Sequence, residues 1–218
     1  MRMRTKAVIF DLDGTVLDNE DEYGAAFKKV LENLGANVKT DYPHVGGIGV
    51  KENWPGLLKK YHIKTEKSFD ELASDTQKEY LKLLSKVRVK KGLAEFVKQL
   101  RQDGIKTALA TSSVWFILER VFEELPIKGL FDSVTTGEEV NHKKPAPDLF
   151  LTAAAKLDTL PEECLVIEDS ASGIEAAHQA EMKVIAIARN GRHEKELKDA
   201  ELVIRDYNQL SPKLVGGL

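Results

Sequence analysis

The stretch VIFDLDGTVLD, residues 8–18, places two aspartates directly after an apolar run and a third a few residues later. The run is rich in β-branched and aromatic residues, which predicts a buried β-strand. Asp11 and Asp13 would then stand at the carboxyl end of that strand. Because neighbouring carboxylates repel one another, this concentration of negative charge predicts a site where cations compensate it.

The composition is that of an ordinary globular protein, with 218 residues, 42% of them hydrophobic and 31% charged. The balance of 32 basic against 35 acidic residues, a net charge of -3, gives no electrostatic reason to expect nucleic acid or a membrane surface as the partner. A single cysteine, Cys164, fits a reducing compartment, and no stretch approaches the roughly 20 apolar residues of a membrane span. We therefore expect a cytoplasmic protein, a monomer or a homodimer.

Short apolar runs alternate along the chain with helical patterns. Such an alternation predicts an α/β fold whose mostly parallel, doubly wound sheet is covered by helices on both faces. The predicted strands are KAVIF (residues 6–10), IKTALA (105–110), DSVTT (132–136), CLVIE (164–168), KVIAIA (183–188) and ELVI (201–204). Between two of them, residues 93–104 show a helical stripe that ends at a glycine, the usual helix stop.

One connection is too long for a simple crossover between parallel strands. Residues 17–84 contain no convincing strand, but they show helical periods near Phe27 and Leu31 and a charged amphipathic stretch over residues 67–86. We call residues 17–84 the cap segment and predict that they form a small α-helical domain. The predicted catalytic core is then residues 1–16 and 85–218, with a Rossmann-like sheet whose carboxyl edge the cap segment would cover.

Polar residues lie at the ends of four predicted strands or shortly after them. They are Asp11 and Asp13, then Thr111, then Lys144 in the HKKPAPD run, and finally Glu168 and Asp169. Because parallel strands share one carboxyl edge, these side chains are expected to converge. Lys144 supplies one positive charge against four acids, and oxygen ligands without a His or Cys pattern are typical of Mg²⁺.

This residue set suits covalent phosphoryl transfer. A carboxylate can attack phosphorus when positive charge offsets the repulsion, and Asp11 is the candidate nucleophile. Asp13 can protonate the leaving oxygen and later accept a proton from water. Thr111 and the backbone N–H groups of Ser112 and Ser113, which we expect to open a helix, can donate hydrogen bonds to phosphate oxygens, and Lys144 can stabilise the transition state.

Four motifs carry a family resemblance. DLDGT (residues 11–15), ATSS (110–113), KKPAPD (143–148) and VIEDSASGIEAA (166–177) resemble the ordered motifs of the haloacid dehalogenase-like hydrolase superfamily, in the subfamily with a helical cap inserted after the first motif. The resemblance implies that Asp11 is phosphorylated and Asp13 is the acid/base. It also implies that Mg²⁺ is held by Asp11, the Asp13 backbone carbonyl and Asp169, while Thr111 and Lys144 bind the phosphoryl group.

Three further residues are predicted to support the site or to contact substrate: Thr15, Glu168 and Lys51. Glu168 would either touch a metal-bound water or orient its neighbour. Lys51 lies near the position of the Schiff-base lysine in phosphonate-cleaving relatives. Its neighbour Val50 aligns with the cap arginine that holds the distal phosphate in β-phosphoglucomutases, and Lys51 can itself serve as a phosphate ligand.

The sequence thus predicts a Mg²⁺-dependent phosphatase acting on a small phosphorylated metabolite, of the sugar phosphate or phosphoglycolate type. A β-phosphoglucomutase-like hexose phosphomutase is the alternative. A signalling receiver that accepts phosphate on aspartate is a remote third hypothesis, because receivers carry the acid pair and the phosphoacceptor on different strands and lack a large helical insertion.

Overall fold

The structure of the protein is a computed structural model, which describes residues 5–218. Its strands are β1 (Ala7–Phe10), β2 (Leu17–Asp18), β3 (Arg88–Val89), β4 (Lys106–Thr111), β5 (Ser133–Thr136), β6 (Cys164–Glu168), β7 (Lys183–Ile187) and β8 (Leu202–Ile204). Its α-helices are α1 (Glu20–Asn33), α2 (Val50–Lys60), α3 (Phe69–Leu81), α4 (Leu93–Gln102), α5 (Trp115–Glu124), α6 (Asp148–Lys156), α7 (Ala171–Gln179), α8 (Gly191–Glu196) and α9 (Pro212–Val215). Short 3-10 turns cover Leu84–Lys86, Lys128–Leu130, Gly137–Glu139, Pro161–Glu163 and Tyr207–Gln209.

Six of the strands form one parallel sheet in the order β5-β4-β1-β6-β7-β8. All six runs predicted from the sequence form these strands, so the doubly wound α/β fold is confirmed. β1 lies in the middle, with β4 on one side and β6 on the other. The chain winds outwards in both directions from this point, which is where open α/β sheets have a crevice at their carboxyl edge.

Both faces of the sheet are buried. Ala7 and Ile9 point into an apolar layer that contains residues of α6 and α7, whereas Val8 and Phe10 point into a second layer with residues of α4 and α5. The four β1 side chains have no exposed surface. A strand that is apolar at every position is therefore stable here because helices cover both sides.

The cap segment contributes three helices, in which α3 packs against α1 and α2. Ser68 begins α3 with a capping box, since its side chain accepts from the Glu71 backbone and Glu71 reciprocates. The predicted helical stretch of residues 67–86 is divided into α3 and a 3-10 turn. The division into two domains stays a prediction.

The expectation that residues 17–84 contain no strand is wrong at their first two positions. β2 pairs antiparallel with β3, with Leu17 opposite Val89 and Asp18 opposite Arg88. A ladder of two residues is too short to produce a readable alternation in sequence. Within residues 5–218, no helix has the length and apolar character needed to cross a membrane.

Candidate active site

The predicted site residues meet at the carboxyl edge of the sheet. Asp11 directly follows β1, Thr111 ends β4, and Glu168 ends β6. The backbone N–H of Asp11 continues the sheet by donating to the Ile167 carbonyl at 3.0 Å. Because this bond fixes the Asp11 backbone on the central strand, the carboxylate stands at the point where the strand order reverses.

Lys144 reaches this edge from the loop that precedes α6. Its ammonium donates to Asp11 Oδ1 and to Glu168 Oε1, each at 2.6 Å, and its side chain is fully buried. Burial opposes the ammonium charge, but the two carboxylates outweigh burial and raise the pKa of Lys144. The lysine is therefore a permanent cation next to the candidate nucleophile.

Acidic oxygens of Asp11, Glu168 and Asp169 lie within 4.8 Å of one another. Burial, followed by the charges of neighbouring acids, raises the pKa of both Asp11 and Asp169 well above the usual range, although Lys144 counteracts this at Asp11. Within residues 5–218, the buried Asp169 Oδ1 has no hydrogen-bond partner. An orphaned oxygen beside two further carboxylates is the donor set of a hard divalent cation, so these residues fit a metal ion.

Gly14 gives this cluster its space. Its φ of +77° favours glycine, and a Cβ there would lie 2.0 Å from Asp169 Oδ2. The glycine of the DLDGT motif is thus required both by the turn after β1 and by the carboxylate that packs against it.

Both carboxylate oxygens of Glu168 have protein partners. Oε1 accepts from Lys144, and Oε2 accepts from the backbone N–H of Asp169 at 2.7 Å and from the N–H and Oγ of Ser170 at 2.5 and 2.8 Å. These contacts fix Lys144 and the start of α7. Of the two roles predicted for Glu168, they fit the one that orients its neighbours.

The predicted phosphate-binding residues lie beside Asp11. Thr111 is buried, and its Oγ1 accepts from the Ser113 backbone N–H at 3.0 Å. The sequence predicted that Ser112 and Ser113 begin the following helix, which is wrong. α5 begins at Trp115, with Val114 as its N-cap. The local bond between Thr111 and Ser113 holds this backbone in a turn instead.

Asp13 lies beside Asp11 and is held through both oxygens. Asn19 Nδ2 donates to Oδ1 at 2.7 Å, and Ser113 Oγ donates to Oδ2 at 2.9 Å. Burial raises the pKa of Asp13 to about 6, even though these two hydrogen bonds favour the carboxylate. A carboxyl group with this pKa can exchange protons near neutral pH, as an acid/base must.

A cavity of about 40 Å³ lies between these residues and the cap segment. Asp11, Asp13 and Ser112 line its floor, and a loop of residues 44–50, which we call the cap loop, lines its roof. Ser112 Oγ donates to the Gly47 carbonyl at 3.0 Å, and Ser172 Oγ donates to the Gly46 carbonyl at 3.3 Å. This volume accommodates a few water molecules, not a phosphorylated sugar.

Two predicted supporting residues lie outside this cavity. Lys51 is half exposed and forms an ion pair of 2.7 Å with Asp70, while its neighbour Val50 lines the cavity. Thr15 is buried, and its Oγ1 has no hydrogen-bond partner within residues 5–218. Lys51 therefore does not join the group around Asp11, and among the described residues no hydrogen bond ties the Thr15 side chain to it.

Sequence reasoning missed five polar residues near the site: Asn19, Glu20, Tyr23, Tyr80 and Arg189. Glu20 begins α1 and forms a partly buried ion pair of 2.9 Å with Arg189 of the core. Burial opposes the charge of Glu20, but His44 and then Arg189 outweigh burial and lower the pKa of Glu20. The only sequence signal for Glu20 was an acid at a helix start, which is common in any helix. In the sequence pattern, Tyr23 and Tyr80 could not be told apart from the buried apolar positions of amphipathic helices.

Comparison with known proteins agrees with this geometry. The model of the haloacid dehalogenase-like hydrolase family matches residues 5–181, so the chain belongs to this family of hydrolases and is an enzyme. The chain is 35% identical over 178 residues to the phosphorylated carbohydrates phosphatase of Thermotoga maritima, covering 80% of this chain and 81% of the relative.

Two further similarities extend over more of the chain. The β-phosphoglucomutase of Bacillus subtilis is 30% identical over 219 residues, covering 96% of this chain and 93% of the relative. The crystal structure of β-phosphoglucomutase from Clostridium difficile superposes with a TM-score of 0.85 at 26% identity, covering 97% of this chain and 95% of that one. The family resemblance predicted from the four motifs is confirmed.

Proposed function

We propose that this protein is a Mg²⁺-dependent phosphatase that hydrolyses a small phosphorylated metabolite through an aspartyl phosphate on Asp11. The observation that carries the proposal is the convergence of Asp11, Glu168 and Asp169 within 4.8 Å, with Lys144 bonded to the first two. The similarity to the T. maritima phosphatase supports a phosphorylated carbohydrate as substrate.

In the first half-reaction, a carboxylate oxygen of Asp11 forms a bond to phosphorus and the bond to the leaving alcohol oxygen breaks. Lys144 offsets the charge of Asp11 and can donate to a phosphoryl oxygen, while Thr111 Oγ and the N–H of Ser112 offer neutral donors. Asp13 delivers its proton to the departing oxygen, so the alcohol leaves as a neutral molecule.

In the second half-reaction, Asp13 accepts a proton from a water molecule that attacks phosphorus, and the bond to Asp11 breaks. Inorganic phosphate leaves and the Asp11 carboxylate is restored. Asp11, Asp169 and the Asp13 carbonyl are the residues proposed to hold Mg²⁺, which supplies charge neutralisation between the two anions when bound.

Substrate entry requires the cap segment to move. The cavity of about 40 Å³ beside Asp11 is lined by the cap loop, and the Glu20–Arg189 ion pair joins α1 to the core next to it. Both sets of contacts join one side of the crevice to the other, so separating them opens a path to Asp11 and closing them again excludes water.

Phosphate release from a panel of sugar phosphates, polyol phosphates and phosphoglycolate tests the proposal. We expect turnover that requires Mg²⁺ and that disappears in Asp11→Asn while the circular dichroism spectrum is unchanged. Asp18→Asn is the matched control, since Asp18 lies seven positions on, is exposed and pairs with Lys90. Phosphate release by Asp11→Asn at the wild-type rate would refute the mechanism.

A hexose phosphomutase is the second candidate, favoured by the similarity to two β-phosphoglucomutases. Against it, Val50 lines the cavity and Lys51 is paired with Asp70, so neither supplies a cap cation for a distal phosphate. Incubation with a hexose 1-phosphate and a trace of its bisphosphate separates the candidates, because a mutase yields an isomer without inorganic phosphate. The family membership does not support the signalling receiver.

The remaining sequence predictions stay predictions within this proposal. They are the cap boundaries at residues 17 and 84, a cytoplasmic location, and a monomer or homodimer that binds neither nucleic acid nor membrane. The single cysteine supports the location, and the near-neutral charge of -3 supports the expectation about nucleic acid and membrane.

A further inference from the structure

Asp13 is held by two hydrogen-bond chains that both end on the cap segment. The first runs from Tyr80 on α3 to Asn19, whose Nδ2 lies 2.8 Å from Tyr80 Oη and 2.7 Å from Asp13 Oδ1. The second runs from Tyr23 on α1 to Ser113, with 3.3 Å between the two oxygens, and then to Asp13 Oδ2 at 2.9 Å.

The amide of Asn19 has a single possible orientation. Its Oδ1 accepts from the Gly14 backbone N–H at 3.0 Å, so the two hydrogens of Nδ2 must point to Asp13 and to Tyr80. Tyr80 therefore accepts from Asn19. The amide is held at three points, and the Tyr80 oxygen is the one on the cap helices that sets where Asn19 presents its hydrogen to Asp13.

The second chain also has a defined direction. Ser113 has one hydroxyl hydrogen, and it is used towards Asp13 Oδ2, so Tyr23 is the donor in its contact with Ser113. Each bond to Asp13 uses one lone pair of one oxygen. The second lone pair of each oxygen is left for substrate and water.

The two tyrosines form a single packed unit. Their rings stack with centroids 3.9 Å apart and planes at 9°, and Tyr80 has no exposed surface. Because α1 and α3 pack together, the pair moves as one body when the cap segment moves. The orientation of Asp13 is thus tied to the position of two cap helices.

We propose that Tyr80, acting through Asn19, is a positioning residue that aims the Asp13 carboxyl group at the leaving oxygen. This inference rests on the proposed function, in which Asp13 is the acid/base. Tyr80 touches neither substrate nor the reacting atoms. Its hydroxyl matters because, without it, only the Gly14 N–H and Asp13 itself hold the Asn19 amide, which can then shift relative to Asp13. A misaimed acid protonates the leaving oxygen poorly.

The test compares two substrates that differ in their need for an acid. An alkyl phosphate such as glycerol 1-phosphate has a poor leaving group, whereas p-nitrophenyl phosphate releases a stabilised anion that needs little protonation. Tyr80→Phe removes one oxygen and keeps the ring stack. We expect kcat/KM to fall by about tenfold for the alkyl phosphate and by less than about twofold for the aryl phosphate.

Tyr207→Phe is the matched control. Tyr207 is equally buried, and its hydroxyl donates one bond of 3.2 Å, to the Thr15 carbonyl, without reaching Asp13. We expect it to leave the ratio of the two kcat/KM values unchanged. An equal loss for both substrates in Tyr80→Phe, or no loss for either, would overturn the inference.

A double-mutant cycle identifies the route. If Tyr80 acts only through Asn19, the variant Tyr80→Phe/Asn19→Ala has the same alkyl-phosphate activity as Asn19→Ala alone, while additive losses contradict that route. Should Asn19→Ala fail to fold, the substrate ratio of Tyr80→Phe decides. Asp13→Asn distinguishes failure of the acid/base role of Asp13 from failure of the positioning role of Tyr80. If Asp13→Asn leaves the ratio of the two kcat/KM values unchanged, the acid/base role fails. If Asp13→Asn changes that ratio but Tyr80→Phe does not, only the positioning role fails.

Discussion

Ser112 Oγ donates a hydrogen bond of 3.0 Å to the carbonyl of Gly47, so the strand end that carries Thr111 is joined directly to the cap loop. Gly47 also packs against the other side of the site. Its φ is +79°, and a Cβ there would lie 1.9 Å from Ser170 Oγ and 2.5 Å from Ser172 Oγ. Ser170 cannot turn away freely, because its Oγ also bonds Glu168 and Gly173.

Gly47→Ala should therefore prevent the cap loop from closing. The positive φ costs about 1 kcal/mol of stability for an alanine, and the collision adds a barrier to closure that we expect to lower kcat/KM by at least about tenfold. Gly35→Ala is the matched control, since Gly35 has a φ of +87° and no atom of the described residues lies within 4 Å of its Cβ position. Steady-state kinetics and thermal unfolding of both variants check this, and equal activity in both would contradict it.

The fold was readable from sequence because its signals are local and strong. The strands of the main sheet are short runs rich in apolar or β-branched residues, and the convergence of the polar residues at their ends follows from the parallel topology. Asp11, Thr111, Lys144 and Asp169 could be assigned to one edge without coordinates, because the edge is shared by every parallel strand.

The contacts between the cap segment and the core were not readable in this way. Tyr80 is 61 residues from Asn19 in the chain, and Arg189 is 169 residues from Glu20. Nothing in the helical periods of α1 or α3 indicates which polar atom of an otherwise apolar stripe faces the core. Lys51 was placed near the site by alignment, but a neighbouring acid on α3, Asp70, holds its ammonium elsewhere.

Asp169→Asn should have opposite effects on stability and metal binding. Burial and the charges of Glu20, Glu168 and Asp11 raise the pKa of Asp169, which means that its carboxylate is unfavourable in the metal-free fold. A neutral amide relieves that cost, so we expect the metal-free variant to unfold about 2–4 °C higher for each kcal/mol gained. The same change removes a ligand, so added Mg²⁺ should stabilise wild type but not the variant.

Thermal unfolding of wild type and Asp169→Asn, in EDTA and in MgCl₂, measures both the metal-free stability and the Mg²⁺-induced shift. Asp103→Asn is the control, because Asp103 is an exposed acid at the end of α4 and should leave both values unchanged. A Mg²⁺-induced shift in Asp169→Asn as large as that of wild type would show that Asp169 does not hold the metal.

Lys144 should be indispensable to stability as well as to turnover. Its removal in Lys144→Met leaves Asp11 and Glu168 as buried carboxylates without a cation, a situation that typically costs about 3–5 kcal/mol. The loss of transition-state charge stabilisation should lower kcat by about 10²–10³-fold. Urea unfolding in EDTA measures the first effect, and phosphate release measures the second.

The double variant Lys144→Met/Glu168→Gln separates these two effects. Removing one of the stranded charges should recover part of the stability lost in Lys144→Met, since one buried carboxylate remains instead of two. Turnover should stay as low as in the single variant. Recovery of activity together with stability would mean that Lys144 only holds the fold.

Cys164 should be unreactive in the native protein. It begins β6, is 4% exposed, and burial raises the pKa of its thiol to about 12. At pH 8 only on the order of 10⁻⁴ of such a thiol is ionised, and the thiolate is the species that reacts. Raising the pH increases the thiolate fraction but does not remove burial. We therefore expect iodoacetamide to leave the native protein unlabelled at pH 8 and to add one carbamidomethyl group in 8 M urea, as read by intact mass. Rapid labelling of the native protein would show that β6, the strand that carries Glu168, opens locally.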